Sequence, residues 1–353
     1  MAMTYRTRMK VQRIGTAALV ILTIIILVWL CWVIWLERYV VYTADGAEIR
    51  YEEQDFNGVP AVKPAAAGNV SIYYNEGSDS LDIGKELTAI NGYYIDYNAL
   101  SSDLEGVKDD LRYIKSGTPV MIELKGGYGS FYYSSNVSGS ISSASVDIEG
   151  VDALITELQS RGFYLIAKIS AFRDYNYGVN HVSSGLPLVG KLYLWNDSGG
   201  YYWLKPNDSA VLNYLTSIVL ELKGMGFNEV VLADFRFPSS TEYSFTDDKQ
   251  EALLFAVDTL MTACSSDTFT LGFATGDASF PLPDGRSRLY LDNVDAANVE
   301  TAIQSVTLTD PETRVVFLCE TNDTRFDQYS VLRPVSVAEA LEAQKADQAG
   351  LND

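Results

Sequence analysis

Gly226-Phe-Asn-Glu-Val-Val-Leu-Ala-Asp-Phe-Arg-Phe-Pro238 reads as a buried strand, Glu229 to Ala233, that ends in an acid, carries an arginine two residues on and stops at a proline. A carboxylate where a strand leaves a core costs solvation energy unless it is paired or used. Asp234 therefore either serves chemistry or closes the strand end as an ion pair with Arg236.

The same kind of unit recurs on both sides of this stretch. Thr88 to Tyr97, Pro119 to Lys125 and Phe163 to Ser170 read as strands before it. Phe269 to Thr275, Arg288 to Leu291, Arg314 to Cys319 and Tyr329 to Pro334 read as strands after it. Helical periodicity falls between them, at Ser101 to Lys115, Val146 to Arg161, Asp208 to Lys223, Asp247 to Cys264 and Ala296 to Ser305, with a polar helix from Ser336 to Ala349. Nearly all-apolar strands alternating with helices require a parallel sheet covered on both faces. About 250 residues with seven or eight such units fit a (β/α)8 TIM-like barrel better than a doubly wound sheet. No GxGxxG follows a strand and no GxxxxGK[ST] occurs, so no nucleotide is expected.

The amino terminus points to a membrane. Residues 1–13 hold Arg6, Arg8, Lys10 and Arg13 without an acid, and Ile14 to Leu36 is a run of 23 uncharged residues. About 20 apolar residues span a bilayer, and flanking basic residues keep their side in the cytoplasm. A cleaved signal peptide has a shorter apolar core and a small-x-small site. This run instead ends Trp32-Val-Ile-Trp-Leu-Glu-Arg38. An uncleaved signal anchor is the expectation, with the carboxy-terminal domain extracellular. Residues 37–86 read as a juxtamembrane hairpin around Asp45-Gly46 and an Ala/Pro-rich linker, 87–335 as the barrel and 336–353 as a polar tail.

Charge and cysteine narrow the partners. Through Arg38 the chain holds 5 basic residues and 1 acidic, so the 315 beyond carry 21 against 45. Such an exterior repels nucleic acid. Cys31 lies in the apolar run, and Cys264 and Cys319 form no CxxC or Cys/His cluster, leaving buried thiols or one disulfide open. Neither a metal nor a cofactor is expected.

In a barrel, function gathers where strands end. Those positions hold Asp96, Glu123, Lys125, Lys168, Arg173, Asp174, Asp234, Arg236, Asp277, Asp292 and Glu320. Carboxylates dominate, and two across a cleft are what glycosidic bond cleavage needs. His181 is the only histidine and lies in a polar loop, which leaves no Ser/His/Asp set. The long connection from Phe172 to Pro206 mixes aromatics with short polar residues, which suits the flat C–H faces and hydroxyls of sugars. Trp203 is expected to be structural, with Tyr201 or Trp195 nearer the cleft.

The blocks Ile122-Glu-Leu-Lys-Gly-Gly-Tyr-Gly129, Ile166-Ala-Lys-Ile-Ser-Ala-Phe-Arg-Asp174, Trp195 to Pro206, Asn213 and Gly226 to Pro238 occur in an order that resembles a bacterial family of putative glycoside hydrolases, a domain of formerly unknown function. Its pattern closes on GFDEI.FDY.RFP. The resemblance implies a TIM barrel outside the cytoplasm and a carbohydrate ligand. This chain departs from the pattern at Glu123, at Lys168 in place of arginine, and at Asp234-Phe235 in place of Asp-Tyr. At the fifth strand, Gly272-Phe-Ala-Thr-Gly276 holds no acid, so Asp277 comes late or the acid is absent.

Two functions stand from the sequence. One is a membrane-anchored glycoside hydrolase with Asp234 as nucleophile or stabilising carboxylate, and Glu123, Asp292 or Glu320 as general acid. Arg236, Lys125, Lys168, Asp174, Trp195, Tyr201 and Asp96 would bind substrate. The other is a catalytically degenerate barrel that binds glycan or an envelope partner.

Overall fold

Eight parallel strands close on themselves in the computed structural model, which describes residues 29, 40–43, 46–49, 87–321 and 323–338. They are β1 (Asn91–Ile95), β2 (Pro119–Lys125), β3 (Tyr164–Ser170), β4 (Glu229–Ala233), β5 (Thr270–Phe273), β6 (Ser287–Leu291), β7 (Val315–Leu318) and β8 (Ser330–Pro334). Each pairs with its neighbours in sequence, and β8 pairs with β1 to seal the barrel. The eight strand segments read from the sequence are all present: Pro119–Lys125 and Glu229–Ala233 have the expected ends, and the other ends shift by at most three residues.

Alternation along the strands sorts two cores. Met121, Ile166, Val231, Tyr290, Val316 and Leu332 fill the barrel. Val120, Ile122, Leu165, Ala167, Val230 and Leu232 point the other way, against helical residues such as Val151, Leu154, Leu215 and Ile218. The floor of the barrel holds a buried ion pair. Arg288 Nη1 donates to Glu229 Oε2 at 2.5 Å, and Tyr290 Oη and Tyr164 Oη donate to the two Glu229 oxygens at 2.7 and 3.1 Å. Burial, with the neighbouring Glu229 carboxylate, raises the Tyr290 phenol well above its ordinary value.

The outer helices are α1 (Tyr97–Ser102), α2 (Leu104–Asp110), α3 (Ile148–Ser160), α4 (Tyr175–Asn180), α5 (Ser209–Gly224), α6 (Lys249–Cys264), α7 (Val299–Ser305) and α8 (Pro311–Arg314). Asp96, Asp103, Asp147, Asp174, Asp208 and Asp248 each cap a helix with their side chains. Part of the chain's acidity thus satisfies free N–H groups at positive helix ends. One cap alters the expected helix from Ser101 to Lys115: Asp103 accepts from Gly106 N and starts a new helix there, splitting α1 from α2. Between β5 and β6 the chain runs without a helix.

Val40–Thr43 and Gly46–Ile49 pair antiparallel within a separate amino-terminal unit, Met1–Ser78. The expected anchor, 14–36, lies outside the described residues apart from Trp29, as does nearly all of the expected carboxy-terminal helix. Among the described residues no helix is long and apolar enough to cross a membrane. Cys264 and Cys319 are both buried and free.

Candidate active site

Asp234 follows β4 directly and takes a left-handed backbone, φ 52°. For a non-glycine residue this conformation is sparsely populated, and such residues collect at functional sites. The turn closes with Arg236 N donating to Asp234 O at 2.9 Å, while Ser170 Oγ at the end of β3 lies 2.8 Å from Asp234 Oδ2. Ser170 Oγ is also 2.7 Å from Arg173 O, so its single proton serves one acceptor at a time. Arg236 does not pair with Asp234, which removes the simple ion-pair explanation for both residues. Its exposed guanidinium lies 3.5 Å from where a Cβ on Gly276 would stand.

A cleft opens over the carboxyl ends of the strands. Its larger lobe, about 950 Å³, is lined by Asp234, Arg236, Glu123, Lys168, Arg173, Tyr201 and Asp292, with Tyr97, Tyr128 and Tyr132 among its aromatic residues. The smaller lobe, about 680 Å³, includes Asp96, Glu320, Tyr94 and Cys319. Glu123, Lys168, Asp292, Asn293 and Leu318 border both. Asn293, like Asp234, is left-handed, at φ 57°. Lys168 Nζ donates to Glu123 Oε2 at 3.2 Å, so a charged bridge from β3 to β2 stands at this boundary. Asp292 has no side-chain hydrogen bond or ion pair among the described residues. Burial, aided by Glu320, Asp96 and Cys319, pushes the Tyr94 phenol up to about 12, and it stays a hydrogen-bond donor at neutral pH.

The wall above β3 is built by one carboxylate. Asp197 accepts from Arg173 Nε at 2.9 Å, from Trp203 Nε1 at 3.0 Å and from the amides of Gly199 and Tyr201. Burial works against the charged form, but the hydrogen bonds from Trp203 and the loop amides, with Arg173, hold its carboxyl below the usual range. Arg173 in turn lies 3.8 Å from the centroid of the Tyr201 ring, and Tyr128 packs edge-on against Tyr201 at 5.0 Å. This leaves Tyr201 on the cleft and Trp203 beneath the loop, 4% exposed.

Several expected contacts lie elsewhere. Lys125 and Asp174 have no exposed side-chain surface: they form an ion pair at 2.7 Å, with Lys125 Nζ also donating to Ser170 O and Tyr214 Oη to Asp174 Oδ2. The register of β2 against β3 slips between Glu123 and Lys125, which turns Glu123 to the cleft and Lys125 into the wall. Trp195 is buried against Tyr243 and donates to Glu242, both from the loop after β4. Asp96 borders the smaller lobe but spends Oδ1 on capping α1, accepting from Ala99 N at 2.9 Å. Asp277 is exposed and accepts from Ser279, so the cleft wall at β5 is Ala274 and Gly276 without an acid. Asp197 and Ser170 were not singled out from sequence; the run Asn196-Asp-Ser-Gly-Gly200 was the available signal for the former. Among the described residues no cluster of His, Cys, Asp or Glu is arranged to hold a metal.

A closed parallel barrel with a polar, carboxylate-bearing mouth is the architecture of a TIM-barrel protein. Residues 92–267 match the model of a family described as a putative glycosyl hydrolase domain. The match supports the resemblance carried by the blocks from Ile122 to Pro238. Among solved structures, the chain is similar to the α-galactosidase AgaA from Geobacillus stearothermophilus, with 11% identity over 76% of this chain and 42% of that one, TM-score 0.51. Others are an exo-β-N-acetylglucosaminidase from Vibrio harveyi (10% identity, 70% and 50% covered, TM-score 0.47) and a hypothetical protein from Ruminiclostridium thermocellum (19%, 51% and 96%, TM-score 0.44). The chain spans half or less of the two named enzymes, and the likeness to the α-galactosidase is one of fold alone. No curated protein matches the chain significantly.

Proposed function

We propose that this protein is a membrane-anchored, extracytoplasmic glycoside hydrolase acting on an envelope or extracellular polysaccharide. The observation that carries the reading is Asp234, held in a strained left-handed turn with its carboxylate on Ser170 at the edge of a wide polar cleft. Asp292 is its partner. β4 and β6 flank β5, so the two backbones stand about two strand spacings, roughly 10 Å, apart. Between them β5 presents Ala274 and Gly276 to the cleft, short residues that put no large side chain into the gap where a sugar ring would sit. On the other side of Asp234 the equivalent gap toward Glu123 is occupied by Lys168.

In this arrangement Asp292 delivers a proton to the glycosidic oxygen as the C–O bond breaks, and the Asp234 carboxylate attacks or stabilises the electron-poor anomeric carbon. Water completes the hydrolysis. Tyr128 and Tyr201 offer ring faces and edges to the sugar. The basic tail and the 23-residue uncharged run support an anchored chain with the barrel outside.

One observation favours a second reading, a barrel that binds glycan without cutting it: β5 contributes no acid, and Asp292 lies beyond the segment that matches the family. Incubation of the full-length chain with a glycan panel separates the two. Hydrolysis lost in both Asp234→Asn and Asp292→Asn at unchanged thermal stability supports the enzyme. Undiminished hydrolysis in either variant removes that residue from the mechanism, and binding without hydrolysis in the wild type establishes the second reading.

A further inference from the structure

The chain leaves β3 and β4 in parallel fashion. Ser170 and Ala233 are register partners, and an arginine stands three residues beyond each. The residues before those arginines, Phe172 and Phe235, are fully buried with ring centroids 4.7 Å apart, which fixes the two departures side by side. Arg173 and Arg236 both line the larger lobe.

Neither guanidinium is fully engaged. Arg173 gives Nε to Asp197 and stacks on Tyr201, but its two terminal nitrogens make no hydrogen bond among the described residues. Arg236 has no ion-pair or side-chain hydrogen-bond partner among the described residues, although Asp234 is two positions away. It lies along Gly276, at φ 73°, where a Cβ would stand 3.5 Å from its Nη1. In a chain with 46 acidic and 26 basic residues, two arginines with free donor edges lining one lobe are out of keeping with the rest of the surface. The smaller lobe is the reverse, with Asp292, Asp295, Glu320 and Asp323 among its lining and Lys168 as its one cation. A planar guanidinium pairs best with an oxyanion that takes two parallel N–H donors.

We propose that the larger lobe binds an anionic glycan, seating the carboxylate of a uronic acid residue on Arg236 and the free edge of Arg173. This deepens the glycan reading and rests on it. The substrate class is then an acidic polysaccharide, drawn to a net-negative protein by a local reversal of charge.

The test uses the full-length chain in detergent micelles and matched oligosaccharide pairs: hexuronate oligomers against their carboxyl-reduced forms, and sulfated oligomers against their desulfated forms. Calorimetry is expected to show at least one uronate oligomer binding ten- to a hundredfold more tightly than its reduced form, the range for a charge-assisted contact. Arg236→Gln should erase that preference, and Arg236→Lys, which keeps the charge without the fork, should retain part of it. Both variants should melt with the wild type, since Arg236 is exposed and packs no core. Equal binding of acidic and reduced forms, or a preference unchanged in Arg236→Gln, overturns the proposal while leaving a neutral-glycan enzyme intact. A preference confined to the sulfated pair shifts the ligand to a sulfate ester and overturns the uronate assignment. No binding in any pair sinks this proposal and the glycan reading together.

Discussion

Ser170 and Asp234, 64 residues apart in sequence, meet at 2.8 Å where β3 and β4 end, through the serine hydroxyl and one carboxylate oxygen. The contact directs Asp234 without neutralising it. Ser170→Ala removes one hydrogen bond from a carboxylate whose backbone is already fixed. Turnover should fall by about tenfold, the scale of one charge-assisted hydrogen bond. Michaelis constants should move little, and a drop confined to KM would show that Ser170 only shapes the binding surface.

The left-handed backbone of Asp234 supplies a second expectation. Asp234→Gly relieves the strain and should leave stability unchanged or raise it by up to about 1 kcal/mol, whereas Asp234→Ala keeps the strain without the side chain. Urea denaturation reads the order directly. Glycine less stable than alanine at this position would contradict the backbone geometry.

The wall of the cleft rests on Lys125 and Asp174. Lys125→Met leaves the Asp174 carboxylate buried beside Tyr214 without its cation, and breaking such a pair costs about 3–5 kcal/mol. The midpoint of chemical unfolding should fall accordingly, while Lys108→Met, at an exposed i,i+3 pair, should change it little.

Acid should loosen the loop around Tyr201 before it unfolds the barrel. The Asp197 carboxyl is held below its ordinary value in the folded state, so its contribution is present above the usual carboxylate pKa and is lost as pH falls through the folded value. Trp203, which donates to Asp197, supplies the optical signal: its fluorescence should change in that window in the wild type and be already changed at neutral pH in Asp197→Ala. A Trp203 signal that moves only with global unfolding would show that Asp197 does not hold the loop.

Alkali acts through the tyrosines. Burial first, then nearby carboxylates, raises Tyr94, Tyr164 and Tyr177 to about 12. These phenols keep a proton in the folded state that the unfolded chain releases near pH 10. Their stabilising contribution is complete below that pH and lost as pH rises toward 12. Melting temperature should therefore fall steeply above pH 10, with the absorbance of the buried tyrosines in their ionised form appearing only as the protein unfolds. Substantial ionisation of the full tyrosine complement in the still-folded protein would contradict this placement.

Sequence reading reached the barrel because apolar strands and amphipathic helices carry their period locally. It reached Asp234 and Tyr201 because each stands at a strand end or in a loop where burial is costly. Contacts between distant segments were out of its reach. Lys125 looked like a cleft cation because a regular strand would turn it inward with Glu123; the register slip reverses that, and Asp174 lies 49 residues away. Trp195 looked available to sugar because the loop containing Tyr243 and Glu242, which covers it, comes after the next strand. Of the two roles open for Asp234, the ion pair with Arg236 is absent: Asp234 is itself left-handed, and the tight turn after it joins the two residues through the backbone, Arg236 N to Asp234 O.

The ions that hold the walls, Lys125 with Asp174 and Arg173 with Asp197, are not the carboxylates that face the open cleft at Asp234 and Asp292. Evolution can therefore edit the chemistry and the scaffold separately. Asparagine or glycine at 234 would leave both wall pairs in place, so on the proposed mechanism a single side chain separates a barrel that cuts glycan from one that only holds it.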